Sequence, residues 1–240
     1  MNSNSDNPHQ KNRESVKDKP IAISFLVGLF GFFLLSLFTD SLETLFYPSS
    51  NMDIHFIAIS LEKFMLILWI VATVMFIERN DLKSLGFVRT TFKTFFLHSL
   101  CLFTAITIAF YMTFIPGLLI SGDIGPGFST TKSLITSPAF WFFILASAIS
   151  EEIFFRAFLM MRLAWISETK SVALLTVSFV YGILHYSLWG SVGALSFGVW
   201  GFIIGFYYAY IREDVGITSI VHLFSDIIIF LLGAMVLGLG

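Results

Sequence analysis

Glu151 and Glu152 stand side by side in an apolar stretch running from Pro138 to Trp165, and Arg156 follows one helical turn later. Further along, Tyr181 and His185 are four residues apart in a second apolar segment, and His222 and Asp226 are four apart in a third. Carboxylates and imidazoles take a proton from water and stabilise the charge that then develops. An ionised group at the centre of a bilayer costs roughly 2.5–3.5 kcal/mol on insertion scales. A chain that keeps Glu, Glu and Arg so close together in such a stretch is using them, and the chemistry these types suit is activation of a water molecule in a sheltered cavity.

On a helix, Glu152 and Arg156 lie about 40° apart around the axis and can pair, whereas Glu151 points about 100° away from Glu152. The expected division is that Arg156 neutralises Glu152, while Glu151, without a basic partner, faces a polar cavity as general base. His185 beside Glu151 can then orient a water. His222 with Asp226 can stabilise an oxyanion or position a carbonyl; an ionised Asp226 would act by holding His222 in its donor tautomer or protonated form. Alternatively, Glu151, His185 and His222 supply three ligands of types that zinc accepts, leaving a fourth position for water. Spacing does not separate the two versions. A cluster that only locked helices together would need a single Glu–Arg pair, and the second Glu would merely add cost.

Other polar groups carry less. Glu62 and Lys63 are neighbours in an earlier apolar segment and point about 100° apart, so they are not an obvious mutual pair; they are expected near an interface, the alternative being that Glu62 contacts the site. His55 and His98, near segment ends, are expected at the interfaces. Cys101, the one cysteine, excludes an intrachain disulfide framework and a Cys-based zinc site, and is expected as a small packing residue.

The elements that must position these groups follow from composition. The chain has 240 residues, 56% hydrophobic and only 12% charged, with a net charge of −2. Ordinary soluble domains have about 25% charged residues, so the class is a polytopic membrane protein, and the near-neutral charge implies no nucleic-acid partner. A hydrocarbon core of about 30 Å needs about 20 helical residues. Seven apolar segments meet or approach that: 20–39, 55–77, 94–119, 138–162, 171–187, 191–211 and 217–239. The fifth is short, and the fourth is long enough to need tilt, a break or an interfacial end. Splitting the third or fourth would give an eighth. Residues 1–19 read as a disordered tail; the run after them lacks an A-x-A cleavage site and is expected to be a retained span. Pro48, Pro116, Gly122, Gly125, Pro126, Gly127 and Pro138 are expected in loops. In the sixth segment, Gly193, Gly198, Gly201 and Gly205 permit close helix packing, and the 29 phenylalanines are lipid-facing or packing groups.

Basic residues set the orientation. Lys11, Arg13, Lys17, Lys19, Arg79, Lys83, Arg89, Lys93, Arg162, Lys170 and Arg212 fall on one side, eleven against Lys132 on the other. Positive charge favours the cytosolic face, which puts the N-terminus in the cytosol and, with seven spans, the C-terminus outside.

Glu151-Glu152-x-x-x-Arg156, then Tyr181-x-x-x-His185, then His222-x-x-x-Asp226 resembles the CPBP intramembrane protease family, the CAAX prenyl-protease and bacteriocin-processing group called Abi in older usage. Residues 137–239 carry the resemblance, and Ser84-Leu85-Gly86-Phe87 looks like the cytosolic entry common in these proteins. The resemblance implies that Glu151 and His185 activate the hydrolytic water, that His222 and Asp226 form the oxyanion-side pair, and that Glu152 and Arg156 support the geometry. Two positions depart from it. Tyr181 stands where phenylalanine is usual, which keeps the ring, and Asp226 stands where eukaryotic prenyl proteases have asparagine, although aspartate also occurs. The family is commonly labelled metalloprotease, with Zn2+ as its implied cofactor; a metal-free, glutamate-activated water has also been proposed.

The expectation is an all-α polytopic bundle of about seven to eight membrane helices: a tail (1–19), accessory helices (20–136) that shape substrate entry, and a catalytic core (137–239). It would act as an endopeptidase in a bacterial inner membrane, on membrane-associated, prenylated or other peptide substrates, in contact with lipid. A proton-coupled transporter is the rival from another class; the short chain and lack of an inverted repeat argue against it. A non-catalytic bacteriocin-immunity protein is the third, and intact motifs argue against that.

Overall fold

The structure, a computed structural model, describes residues 20–37, 52–121 and 134–237. Among the described residues it is 90% helical with no strand, in seven helices. Helix α1 is Pro20–Leu37, α2 is Met52–Thr73 extended by a π-helical turn Val74–Glu78, and α3 is Phe92–Ser121. Helix α4 starts as Pro138–Glu151, widens into a π-helix over Glu152–Met160, and ends at Met161–Ile166. Helix α5 is Lys170–Leu184, α6 is Tyr186–Phe206 with a π-helical end Tyr207–Ile211, and α7 is Val215–Leu237. Each expected segment is one helix. The third and fourth do not split, and α4 meets its excess length by widening rather than breaking. The expected tail, Pro48, Gly122, Gly125, Pro126 and Gly127 lie outside the described residues.

Helices α1, α2, α3 and α6 are long and apolar enough to cross a membrane. Their outer faces carry groups such as Phe76, Phe92 and Ile120, each at least 80% exposed, which only a hydrocarbon surrounding makes tolerable. The composition, the apolar helices and this surface make an all-α membrane bundle. Cys101 belongs to that outer surface: it is exposed, not the packing residue expected, because α3 turns that face away from its neighbours. Pro116 is also misplaced by sequence reasoning. It lies inside α3, close to its C-terminal end, where the one backbone bond it removes is tolerated. Pro138 does open a helix: Ser137 caps α4 by accepting from the Phe140 amide at 3.1 Å, with Pro138 at the first helical position.

Helix α4 is the axis of the fold, packing on α2, α5 and α7, while α6 joins α5 to α3. All nine residues from Glu152 to Met160 are buried, so this segment has core contacts on every side. Short aliphatic spacers let α5 and α6 touch. A Cβ added at Gly182 would lie 2.6 Å from the Ala194 carbonyl oxygen and 3.0 Å from Gly198 Cα. The α5–α6 reversal is made by His185 and by Gly190, whose φ of 66° breaks the start of α6.

The three connections that the charge pattern groups together do meet. Arg162 grips Glu78 through Nε and Nη2 at 2.8 and 2.7 Å. Lys170 pairs with Glu213 at 3.3 Å, and Thr90 donates to Asp214 at 2.6 Å. Leu85 is buried there, and the Gly86 carbonyl accepts from the Val215 amide at 3.0 Å, so the Ser84–Phe87 stretch is seated on the start of α7. At the opposite end Ser137 bonds Asp53.

Candidate active site

Glu151 sits at the last α-helical turn of α4, before the π-helical widening, a feature often found at functional sites. Its Oε1 accepts from Ser147 Oγ, one turn earlier, at 2.5 Å, and from Lys63 Nζ of α2 at 3.3 Å. Its Oε2 accepts from the Tyr181 hydroxyl at 3.1 Å. The expectation that Glu151 lacks a basic partner is therefore corrected: α2 packs on α4, and Lys63 supplies the charge. Glu62, for which contact with the site was the lesser alternative, turns toward α1 and accepts from Ser36 at 3.2 Å, and Lys63, expected near an interface, is the one that reaches the site.

Glu152 is fully buried and its Oε1 lies 3.5 Å from Arg156 Nη1, so the expected i, i+4 ion pair is present. Its shorter bond, however, is from His222 Nδ1 at 2.9 Å. A carboxylate only accepts, so Nδ1 carries the hydrogen. Asp226 Oδ2 lies 3.4 Å from the other nitrogen, Nε2, and Glu151 Oε2 lies 3.9 Å from it. Sequence reasoning gave the task of orienting His222 to Asp226; the structure gives the stronger contact to Glu152, because α7 packs against α4 at that level.

Among the described residues, neither Nη of Arg156 makes a hydrogen bond. The guanidinium is held instead by aromatic faces, 4.4 Å from the Tyr181 ring centroid and 5.5 Å from that of Trp200. Gly201 makes room for it: a Cβ there would sit 3.0 Å from the Tyr181 ring and 3.4 Å from Arg156 Nη2. Tyr181 thus has three roles. Its ring covers Arg156, its hydroxyl bonds Glu151, and its carbonyl accepts from His185 Nδ1 at 2.7 Å. A carbonyl cannot donate, so a neutral His185 keeps Nε2 as its acceptor. The His185 ring is stacked on Phe197 with centroids 4.4 Å apart, which fixes its plane.

Lys63, Ser147, Glu151, His185, His222 and Asp226 all line one cavity of about 440 Å³, whose remaining wall is largely apolar and aromatic. Two carboxylates, one cation and two imidazoles thus face one small volume, close enough for the charge of each to bear on the others. With a water present, the cavity holds an acceptor carboxylate, an acceptor imidazole and a second imidazole anchored through its far nitrogen.

The donor types would suit zinc, but the described side chains are not gathered around one position. Among the described residues no three His, Cys, Asp or Glu side chains are grouped to hold a metal ion. Glu152 and the Tyr181 carbonyl engage only Nδ1 of His222 and His185, an outer bond that a metal-ligating histidine also makes, so each Nε2 and one position on Glu151 Oε2 are still turned to the cavity.

Two residues of the site escaped sequence reasoning. Ser147 was readable as the i−4 neighbour of Glu151. Lys63 had only the signal of its cost in mid-segment, and no spacing rule links positions 88 residues apart.

No curated protein matches the chain, and no solved structure does. A family model does, over the segment that contains every site residue of α4, α5 and α7 but not Lys63: residues 131–228 match the type II CAAX prenyl endopeptidase Rce1-like family, consistent with a CPBP family intramembrane protease.

Proposed function

We propose that the protein is an intramembrane endopeptidase in which Glu151, assisted by His185, activates water to cleave a peptide bond of a membrane-associated or lipidated substrate. The observation that carries this reading is the convergence of Glu151, His185 and His222 on one largely apolar cavity within a membrane bundle. The family match supports an endopeptidase in general; the water-activating roles and the substrate are our inference.

Glu151 Oε2 takes a proton from the water as its oxygen bonds to the carbonyl carbon, and the carbonyl electron pair moves onto oxygen. His222, held by Glu152 at Nδ1, presents Nε2 toward the cavity, where an N–H would stabilise that oxyanion; Asp226 orients the same nitrogen. Collapse of the tetrahedral intermediate breaks the C–N bond, and the proton on Glu151 passes to the leaving amine. His185 Nε2 accepts from the water's second hydrogen and so fixes the direction of attack. We assign activation to Glu151 and His185 because each turns a free acceptor, Oε2 and Nε2, to the cavity, and the described side chains are not grouped around a metal position.

The same reading places the N-terminus in the cytosol, from the charge bias, in a bacterial inner membrane. A prenylated CAAX tail, a bacteriocin precursor or a membrane-protein anchor suits an apolar cavity of this kind. Comparing membrane proteomes of cells carrying wild type and Glu151→Gln tests the function. Precursors that accumulate only with the variant name the substrate. Loss of solute flux with no accumulated precursor would favour a transporter instead.

A further inference from the structure

Among the described residues, Lys63 is the only Lys or Arg lining the cavity, and it lies outside the segment that matches the family. It is also far from either end of α2, where a side chain of its length cannot readily carry its charge to an interface. Its neighbour Glu62 serves α1 through Ser36. Lys63 turns the other way, to Glu151.

A carboxylate offers about four lone-pair positions. On Glu151, Ser147 and Lys63 take those of Oε1 and Tyr181 takes one of Oε2. One position on Oε2 is left, on the atom that also lies nearest His222 Nε2, at 3.9 Å. Ser147 rides on the same helix as Glu151 and moves with it. A donor from another helix is needed to fix the carboxylate against the rest of the cavity, and Lys63 is that donor on the Oε1 side.

We propose that Lys63 is a positioning residue for the hydrolysis: by donating to Oε1 of Glu151 it fixes the rotation of that carboxylate and leaves Oε2 to take the proton from water. This rests on Glu151 being the base. It makes α2 part of the working site rather than only a wall for substrate entry.

The test uses the purified full-length chain in bilayer nanodiscs and an internally quenched, farnesylated peptide ending in a CAAX sequence. Lys63→Met lowers kcat by about 10²-fold, the scale of an ångström-sized misplacement, with KM within about threefold of wild type, as for a residue that orients the base without contacting the substrate. Lys63→Arg, which keeps the charge, recovers kcat to within about tenfold. An activity-independent readout is the Glu151 carboxylate bands, isolated as the infrared difference between wild type and Glu151→Gln; Lys63→Met shifts them and Lys63→Arg restores them. If Lys63→Met does not fold, Lys63→Gln takes its place with the same expected loss. Wild-type kcat in the neutral variant, a rise in KM alone, or no recovery with Arg overturns the proposal. An inactive wild type, or an active Glu151→Gln, overturns the underlying function as well; an inactive Glu151→Gln beside a fully active Lys63→Met overturns the role of Lys63 alone.

Discussion

Glu152 Oε1 lies 2.9 Å from Nδ1 of His222, across the contact between α4 and α7. The glutamate that the sequence pairs with Arg156 is thereby also the anchor of an imidazole 70 positions later. One buried carboxylate ties the first motif to the third, and its loss should be felt in both stability and turnover.

Removing Glu152 leaves the Arg156 guanidinium buried with no carboxylate beside it. Breaking a buried pair from one side costs about 3–5 kcal/mol. Glu152→Ala should therefore melt well below wild type in detergent, with Glu152→Gln between them because it keeps Oε1 but not the charge. Three equal melting temperatures would contradict this.

Tyr181→Phe removes one donor to Glu151 and keeps the ring that covers Arg156. The fold should be retained. A hydrogen bond to a charged group is worth about 1.5–3 kcal/mol, so kcat should fall by at least about tenfold if the bond orients the base in the transition state. An unchanged kcat would mean that the hydroxyl is incidental, in line with the phenylalanine usual at this position in the resembling family.

Gly182→Ala tests the α5–α6 contact. Its Cβ meets backbone, the Ala194 carbonyl at 2.6 Å, so the helices must separate. Overpacking of this kind costs about 1–3 kcal/mol, and because α5 carries Tyr181 and His185, activity should fall with stability. Gly198→Ala, whose nearest atoms are at 3.7 and 3.8 Å, should be mild by comparison. Equal effects from the two would sink this account of the packing.

Metal content is a separate test. With Glu151 and His185 activating the water without a metal, purified active protein should hold zinc well below one atom per chain and keep its activity after treatment with a chelator. Stoichiometric zinc, with activity lost on chelation and restored by the metal, would require the side chains to regroup around an ion.

The sequence carried the helices because membrane spans are set by one-dimensional rules: length, apolarity and charge at the ends. All seven segments appear as helices within a few residues of expectation. The Glu152–Arg156 pair was equally legible, since i, i+4 is local geometry. What was not legible depends on which helices touch. That Lys63 meets Glu151, that Glu152 rather than Asp226 has the shorter bond to His222, and that Cys101 faces outward all follow from the packing of α2, α7 and α3 around α4. No residue spacing encodes those choices. Tyr181 is the intermediate case. Its ring was expected to be a conservative change, but the hydroxyl contact with Glu151 needed coordinates.

The central claim is that Glu151 takes the proton from water, and Glu151→Gln tests it most directly. Glutamine is nearly the same size, its one carbonyl oxygen can still accept from Ser147 and Lys63, and its NH2 can donate to the Tyr181 hydroxyl oxygen, so the variant should fold and melt close to wild type. Turnover of the farnesylated peptide by the purified variant should fall to background, and His185→Ala should behave likewise. Retained turnover by folded Glu151→Gln would contradict the account.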